Sequence, residues 1–233
     1  MDWDSRIVSN VHAIFVSVMA IYTLFFEEKT FSLTSSTRVT NATMMISAGY
    51  FLYDIIIVLM YFRNDLGMIA HHLLGFGGWI LVCSYDLGVY IGMIFLLTEI
   101  STPFVNGRHF LSTMNMRTSM LYKVNGILMW AVFGAVRMPI VFILPIINYY
   151  WLDQYLNAPK IMFTFCNTLY LVISCLNVFW FYKITTGILK VLSGEEEKLE
   201  MLRNMFNEKK KMLMDAIHHT VRQNREKLLR YRD

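Results

Sequence analysis

Charge is scarce in this chain of 233 residues: Asp, Glu, Lys and Arg make up 16% of it, against about a quarter in a soluble domain. Hydrophobic residues reach 56% and aromatics 15%, and they fall in blocks long enough to cross a bilayer, which takes about 20 residues per helix. An ordinary soluble domain is thereby excluded, and an all-α polytopic membrane protein is predicted. Cysteine is nearly absent too. Cys83, Cys166 and Cys175 lie inside apolar runs without metal-type spacing, so neither a disulfide framework nor a metal site is expected. The net charge of +4 is modest and no basic cluster interleaves with aromatics, which argues against a nucleic-acid partner. No internal repeat is visible between the apolar runs. The first run is long and lacks a small-residue cleavage pattern, so no cleavable signal is expected.

Six spans are predicted, over residues 7–26, 43–62, 68–85, 89–105, 124–147 and 161–184. The third and fourth are joined by only Asp86, Leu87 and Gly88, which requires a tight antiparallel pair. The fourth is expected to end near Pro103, because proline removes a backbone donor and discourages helix through Thr102. Pro139 and Pro145 predict kinks in the fifth, provided that neighbouring helices cover the freed carbonyls. Six spans put both termini and the second and fourth loops on one side. That side carries Arg6, Arg63, Arg108, Arg117, Lys123 and a basic tail, against Lys29, Arg38 and Lys160 opposite. The bias makes the rich side cytosolic, or matrix in a mitochondrion.

Every span but the last holds an ionisable side chain well inside it: His12, Asp54, the pair His71 and His72, Glu99 and Arg137. The sixth offers Asn167, Tyr170, Ser174 and Asn177 on one helical stripe, and Ser47, Tyr50 and Asp54 share a face in the second. Glu99 opens the stretch EISTPFVNGR, which ends in an amide and a base, Asn106 and Arg108. A charge at bilayer depth costs several kcal/mol and so faces a bundle interior or a wet cavity. His12, His71, His72, Glu99 and Asn177 fall about four to eight residues from the cytosolic ends of their spans, roughly 6–12 Å deep. Asp54 lies slightly deeper and Arg137 near the middle. One polar chamber open to the cytosolic leaflet accounts for this better than independent helix–helix hydrogen bonds, each worth about 0.6 kcal/mol. Adjacent helical residues diverge by about 100°, so at most one of His71 and His72 acts directly, unless the site lies between their directions. Arg137 pairs with Asp54 or Glu99; the spacing does not choose.

The segments DWDSRIVSNVH, SAGYFLYD, AHHLL, EISTPFVNGR, NGILMWAVF with Arg137, and LNVFWFYKI occur in this order. Together they resemble the TLC-domain family, which includes the ceramide synthases, over about residues 2–192. The resemblance implies a six-helix bundle around a membrane-embedded cavity, with lipid as ligand. It also matches His71 and His72 to a histidine pair associated with acyl transfer from acyl-CoA to a sphingoid amine. Where those enzymes carry paired aspartates, this chain has EISTPFVNGR with Glu99.

Two regions follow: a TLC-like transmembrane domain over 1–192 and a charged tail over 193–233, read as one or two amphipathic helices with Leu199, Leu202, Phe206, Leu213, Ile217, Val221 and Leu228 near helical spacing. Membrane lipids are the expected partners, together with anionic lipid or a protein subunit on the tail over 195–232. His218 and His219 are read as tail surface. Lipid binding without established catalysis is the preferred function. The alternatives are a structural accessory subunit that holds a lipid, and an acyltransferase whose catalytic candidates are His71, His72, Asp54 and Glu99. The lipid cavity is assigned to His12, Asp54, His71, His72, Glu99, Asn106, Arg108, Arg137 and Asn177. No cofactor is expected apart from bound lipid or acyl-CoA. The endoplasmic reticulum is the expected location, with the mitochondrial inner membrane as the alternative. In sealed vesicles exposing the cytosolic face, added protease should remove the tail; full protection of the tail would invert the assigned topology.

Overall fold

In a computed structural model of the protein, the described residues are 2–27, 33–34, 36–61, 65–194, 198, 201–215 and 218. The chain divides into two units, residues 1–188 and 189–233. Helices α1 (Asp2–Phe26), α2 (Arg38–Tyr61), α3 (Leu66–Tyr85) and α4 (Val89–Leu97) come first. A 3-10 turn, Thr98–Ser101, leads into α5 (Thr102–Thr113), followed by α6 (Met120–Tyr150), the short α7 (Leu152–Leu156) and α8 (Lys160–Leu192). No strand occurs among the described residues. Six stretches are long and apolar enough to span a membrane: Trp3–Phe26, Arg38–Tyr61, Leu66–Tyr85, Val89–Thr113, Met120–Tyr150 and Lys160–Leu192. Their outward positions carry large apolar side chains such as Phe25, Phe142 and Leu171, as lipid requires.

The helix starts follow local chemistry. Asp65 Oδ1 accepts from the Met68 amide at 3.1 Å and Ser119 Oγ from the Tyr122 amide at 3.1 Å. At the start of α2, Thr37 and Thr40 cap one another, each hydroxyl accepting from the other's amide at 3.1 and 2.8 Å. These bonds satisfy amides that have no partner within the helix. The three-residue link between α3 and α4 closes through left-handed backbone at Asp86 (φ 51°) and Gly88 (φ 86°). The Gly88 amide then donates to Leu33 O at 2.6 Å, which locks the fully buried Leu33 against this turn.

The fourth span departs from expectation. It does not end near Pro103 but resumes as α5 and runs to Thr113. Pro103 falls in the first turn of α5, where proline is tolerated and the chain restarts as a helix. The helix α6 runs unbroken through Pro139 and Pro145. Proline at 145 frees the carbonyl of Val141, and Tyr170 Oη of α8 donates to it at 2.9 Å. Within the first unit α8 approaches the other helices through side chains more than through backbone. The Phe181 ring stacks on Trp130 and Phe133 at 6.0 and 6.2 Å, and Trp130 Nε1 donates to Thr185 Oγ1 at 3.1 Å. Of the polar stripe predicted on this span, Ser174 and Asn177 are buried and Tyr170 half-buried. Asn167 is exposed and donates to its own helix at Phe163 O.

In the second unit residues 201–215 are helical and exposed throughout. At 100° per residue, Met201, Leu202, Met205, Phe206, Met212 and Leu213 share one arc of this helix. Leu199, Ile217, His219, Val221 and Leu228, most of the basic run, and the loop bases Lys29 and Arg63 lie outside the described residues.

Replacing Tyr170 by Phe should lower stability by about 0.6–2 kcal/mol, since the freed carbonyl loses its donor. In a Pro145→Ala background the restored amide serves Val141 O, and the same replacement should cost less. Equal penalties in both backgrounds, measured by denaturant unfolding in micelles, would contradict this role.

Candidate functional site

The 3-10 turn between α4 and α5 is the local device that builds the site. Glu99 O, which would meet the missing amide of Pro103, receives the Thr102 amide instead. The tightened turn sets Glu99, Ser101 and Thr102 against the middle of α6. Arg137 Nε donates to Ser101 Oγ at 2.9 Å, and its Nη2 donates to Glu99 Oε1 at 3.3 Å and Thr102 Oγ1 at 3.5 Å. Thr102 Oγ1 donates in turn to Glu99 Oε2 at 2.6 Å. The guanidinium stands 5.2 Å over the Phe133 ring, one turn before it on α6. Arg137 therefore pairs with Glu99, and Asp54 is left for another partner.

That partner is His72. Its Nε2 stands 2.9 Å from Asp54 Oδ2, a close contact at an angle outside that of a hydrogen bond. Ser5 Oγ donates to Asp54 Oδ1 at 3.3 Å. Both ring nitrogens of His72 are sealed by protein, whereas for His71 only Nδ1 is sealed. Nε2 of His71 is thus the nitrogen of the pair that meets open space. The His71 ring packs edge-on to Trp180 with centroids 5.6 Å apart. His12 bonds elsewhere: its Nε2 lies 3.3 Å from Ser47 Oγ, whose single proton goes to Thr43 O at 3.0 Å. The His12 ring must then be the donor, which fixes its tautomer and leaves Nδ1 a bare acceptor. It stacks on Tyr50 at 3.9 Å.

Asn106 clamps α5 to α1. Its Nδ2 donates to Asn10 Oδ1 at 2.7 Å, Ser9 Oγ at 3.2 Å and Arg6 O at 3.3 Å, and its Oδ1 accepts from Arg6 Nη1 at 3.0 Å. Arg108, two residues on, is turned about 200° away on the continued helix. It sits 4.2 Å over the Tyr122 ring and against Gly126, where a Cβ would lie 2.7 Å from its Nη1.

Two cavities run in tandem through the first unit. The larger, of about 380 Å³, draws its lining from all six spans and includes Ser5, Arg6, Ser9, Asp54, Asp65, His71, His72, Glu99, Thr102, Asn106, Arg137 and Lys183. Residues 5, 6, 65 and 183 place its mouth toward the face that holds the N-terminus and the second loop. The smaller, of about 80 Å³, is lined mainly by apolar side chains, among them Trp79, Val82, Phe95, Leu96, Leu144 and Ile173. Phe51, His71, Glu99 and Arg137 line both and form a waist between them. Gly75 lets this waist pack closely, since a Cβ there would collide with the Phe51 ring.

Six of the nine residues assigned to a cavity from sequence line the larger one: Asp54, His71, His72, Glu99, Asn106 and Arg137. His12, Arg108 and Asn177 are not among the linings of the two cavities. His12 lies behind Tyr50, Arg108 is rotated away, and Asn177 is buried at 2% exposure with an unpartnered Oδ1. Because the fourth span runs on to Thr113, Glu99 lies about 14 residues, or roughly 21 Å, from that end. His71 and His72 lie only about 5–6 residues, or roughly 8–9 Å, from the start of α3. Across the bundle His71, Glu99 and Arg137 nevertheless meet at one waist, with Asp54 and His72 beside them in the larger cavity. Sequence reading passed over Ser5, Ser101 and Trp180. Of these only Ser101 carried a signal, as a hydroxyl two residues from a membrane carboxylate.

The family model for the TLC domain matches residues 2–186. TLC domain-containing protein 4 of Homo sapiens is 34% identical over 216 residues, covering 88% of this chain and 81% of the relative. TLC domain-containing protein 4-B of Danio rerio is 29% identical over 207 residues, covering 83% and 76%. TLC domain-containing protein 4 A of Dictyostelium discoideum is 28% identical over 202 residues, covering 83% and 76%. No solved structure matches the chain.

Arg137→Met alone should cost about 3–5 kcal/mol, because it leaves Glu99 buried without a cation. The double variant with Glu99→Gln should recover most of that loss. If the double variant unfolds as early as the single one in a denaturant titration, the pair is not the structural unit described.

Proposed function

The chain belongs to the TLC-domain family of multi-pass membrane proteins, and from that premise we propose that it binds lipid inside the bundle without turning it over. One observation carries the reading: a polar cavity lined by all six spans is joined at a four-residue waist to an apolar cavity. An amphiphile has the same division, and a closed bundle has no structural need for 380 Å³ of polar space. The polar end faces the side of the N-terminus, which the Lys/Arg bias assigns to the cytosol or matrix. The endoplasmic reticulum is the membrane proposed, with the mitochondrial inner membrane as the alternative.

Acyl transfer is the competing reading, and the geometry defines what it would need. His71 Nε2 would act as general base on an amine or hydroxyl, and a base must reach its proton within about 2.6–3.2 Å or through one water. Asp54 lies against His72 and Glu99 against Arg137, and the buried Nδ1 of His71 has no hydrogen-bond partner to orient the ring. A base without an orienter favours binding over turnover.

A second reading rests on the tail. The apolar arc of residues 201–215 is exposed, with Leu202 at 62% and Phe206 at 69%, which suits docking to a subunit of a larger membrane assembly through 195–232. Native mass measurement after gentle solubilisation separates the two, since the first expects co-purifying lipid alone and the second expects protein partners that a tail deletion releases.

Purified protein given acyl-CoA and a sphingoid base should retain lipid and form no ceramide above background. Ceramide formation that is lost in folded His71→Ala and His72→Ala proteins would replace the binding reading with the acyltransferase.

A further inference from the structure

Arg137 brings an uncommitted donor to the waist. Its Nε and Nη2 are engaged by Ser101, Glu99 and Thr102. Both N–H groups of Nη1 are without a protein partner among the described residues. A guanidinium has five N–H donors and no acceptor, and a donor in a dry interior is costly to leave unmatched. Nη1 of Arg108 is sealed by protein, whereas Nη1 of Arg137 is not. Arg137 lines both cavities, and Nη1 is its one terminal nitrogen not engaged by protein among the described residues.

The surroundings restrict what that donor can receive. On one side the lining is polar; on the other it is Trp79, Val82, Phe95, Leu96 and Leu144. The acceptor therefore belongs to the point where a polar head meets a chain. Its charge is restricted as well. The positive charge of Arg137 is already matched by Glu99 at 3.3 Å, and Asp54 lines the same polar cavity. At the waist, away from the bases Arg6 and Lys183 that line the polar cavity toward its mouth, an incoming carboxylate or phosphate would add a negative charge beside Glu99 in a low-dielectric setting. A carbonyl oxygen accepts the same hydrogen bond without that charge.

Resting on the lipid-binding reading above, we propose that the waist is a subsite for a neutral acyl ester or amide. The carbonyl oxygen accepts from Arg137 Nη1, the first methylenes of one acyl chain enter the smaller cavity, and the head stays in the polar cavity. At about 80 Å³, against about 150 Å³ for a cavity that holds one benzene, the smaller space takes a short stretch of one chain. His71 Nε2 faces the same waist and takes a hydroxyl or amide of the head as donor or acceptor.

The test compares ligands on the unaltered full chain in micelles, so it does not depend on a variant folding. A radiolabelled monoacylglycerol, its ether analogue without the carbonyl and the free fatty acid of equal chain length are titrated in turn. The ester should bind at least about tenfold tighter than the ether, as a hydrogen bond to a charged donor implies, and tighter than the acid. Leu144→Trp, which fills the smaller cavity, should weaken ester binding while co-purified lipid in the polar cavity remains. Equal binding of ester and ether overturns the carbonyl contact, and tightest binding of the acid makes the waist an anion site instead. Ester selectivity unchanged in folded Leu144→Trp overturns the placement of the chain. If none of the three binds although lipid co-purifies, the subsite is wrong and the lipid-binding reading stands; if no lipid co-purifies either, both fall.

Discussion

A charge placed among hydrocarbon must be matched by protein, and the pair between Glu99 and Arg137 meets that requirement at the centre of this bundle. Either side chain alone would carry an insertion cost of several kcal/mol. Together, with Ser101 and Thr102 filling out the donors and acceptors, they form a unit in which most lone pairs and protons are spoken for. The match depends on backbone geometry that an uninterrupted helix would not provide. Pro103 removes one amide, the turn tightens to the 3-10 form, and the Glu99 carbonyl takes the Thr102 amide. One covalent constraint thus sets the height and direction of the carboxylate that holds Arg137.

Much of the remaining polar interior is arranged in the same way, with side chains meeting partners on other helices. Asp54 on α2 holds His72 on α3, Asn106 on α5 holds the first turns of α1, and His12 on α1 reaches Ser47 on α2. Such bonds are individually small in membranes, about 0.6 kcal/mol on average. What they supply is register, because sliding one helix by a turn against its neighbour would strand a buried polar group. The helix α8 is held differently, by Trp130, Phe133 and Phe181 and by two side-chain hydrogen bonds to α6. Large side chains keep its backbone apart, and part of the cavity wall, Trp180 and Lys183, comes from that stand-off.

Much of this was legible in the sequence because bilayer insertion makes polarity informative. In a soluble protein a histidine or a serine has many innocent placements, but Asp54, Glu99 and Arg137 inside apolar runs had to turn inward, and they do. The six spans and the tight link through Gly88 were legible for similar reasons of length and backbone freedom. The errors have physical causes as well. Proline was read as a terminus for the fourth span, although in the first turn of a new helix it is tolerated. The restart at Thr102 carried the span on to Thr113. It also rotated Arg108 off the face of Asn106. The choice between Asp54 and Glu99 for Arg137 was out of reach, since it depends on which helices are neighbours across the bundle.

The distinction between His71 and His72 shows how far packing can reverse an even-handed sequence. Both are histidines at adjacent positions, and residue type ranks neither. In the fold His72 is the more buried, at 4% exposure, and both of its nitrogens are closed off beside Asp54. His71, without an acid of its own, is the one left facing the waist with Arg137. A proton-transferring histidine is usually both oriented and open; here orientation has gone to one ring and access to the other. That separation fits a site whose polar groups hold the helices in place and leave a few donors, the Arg137 nitrogen among them, for a bound lipid.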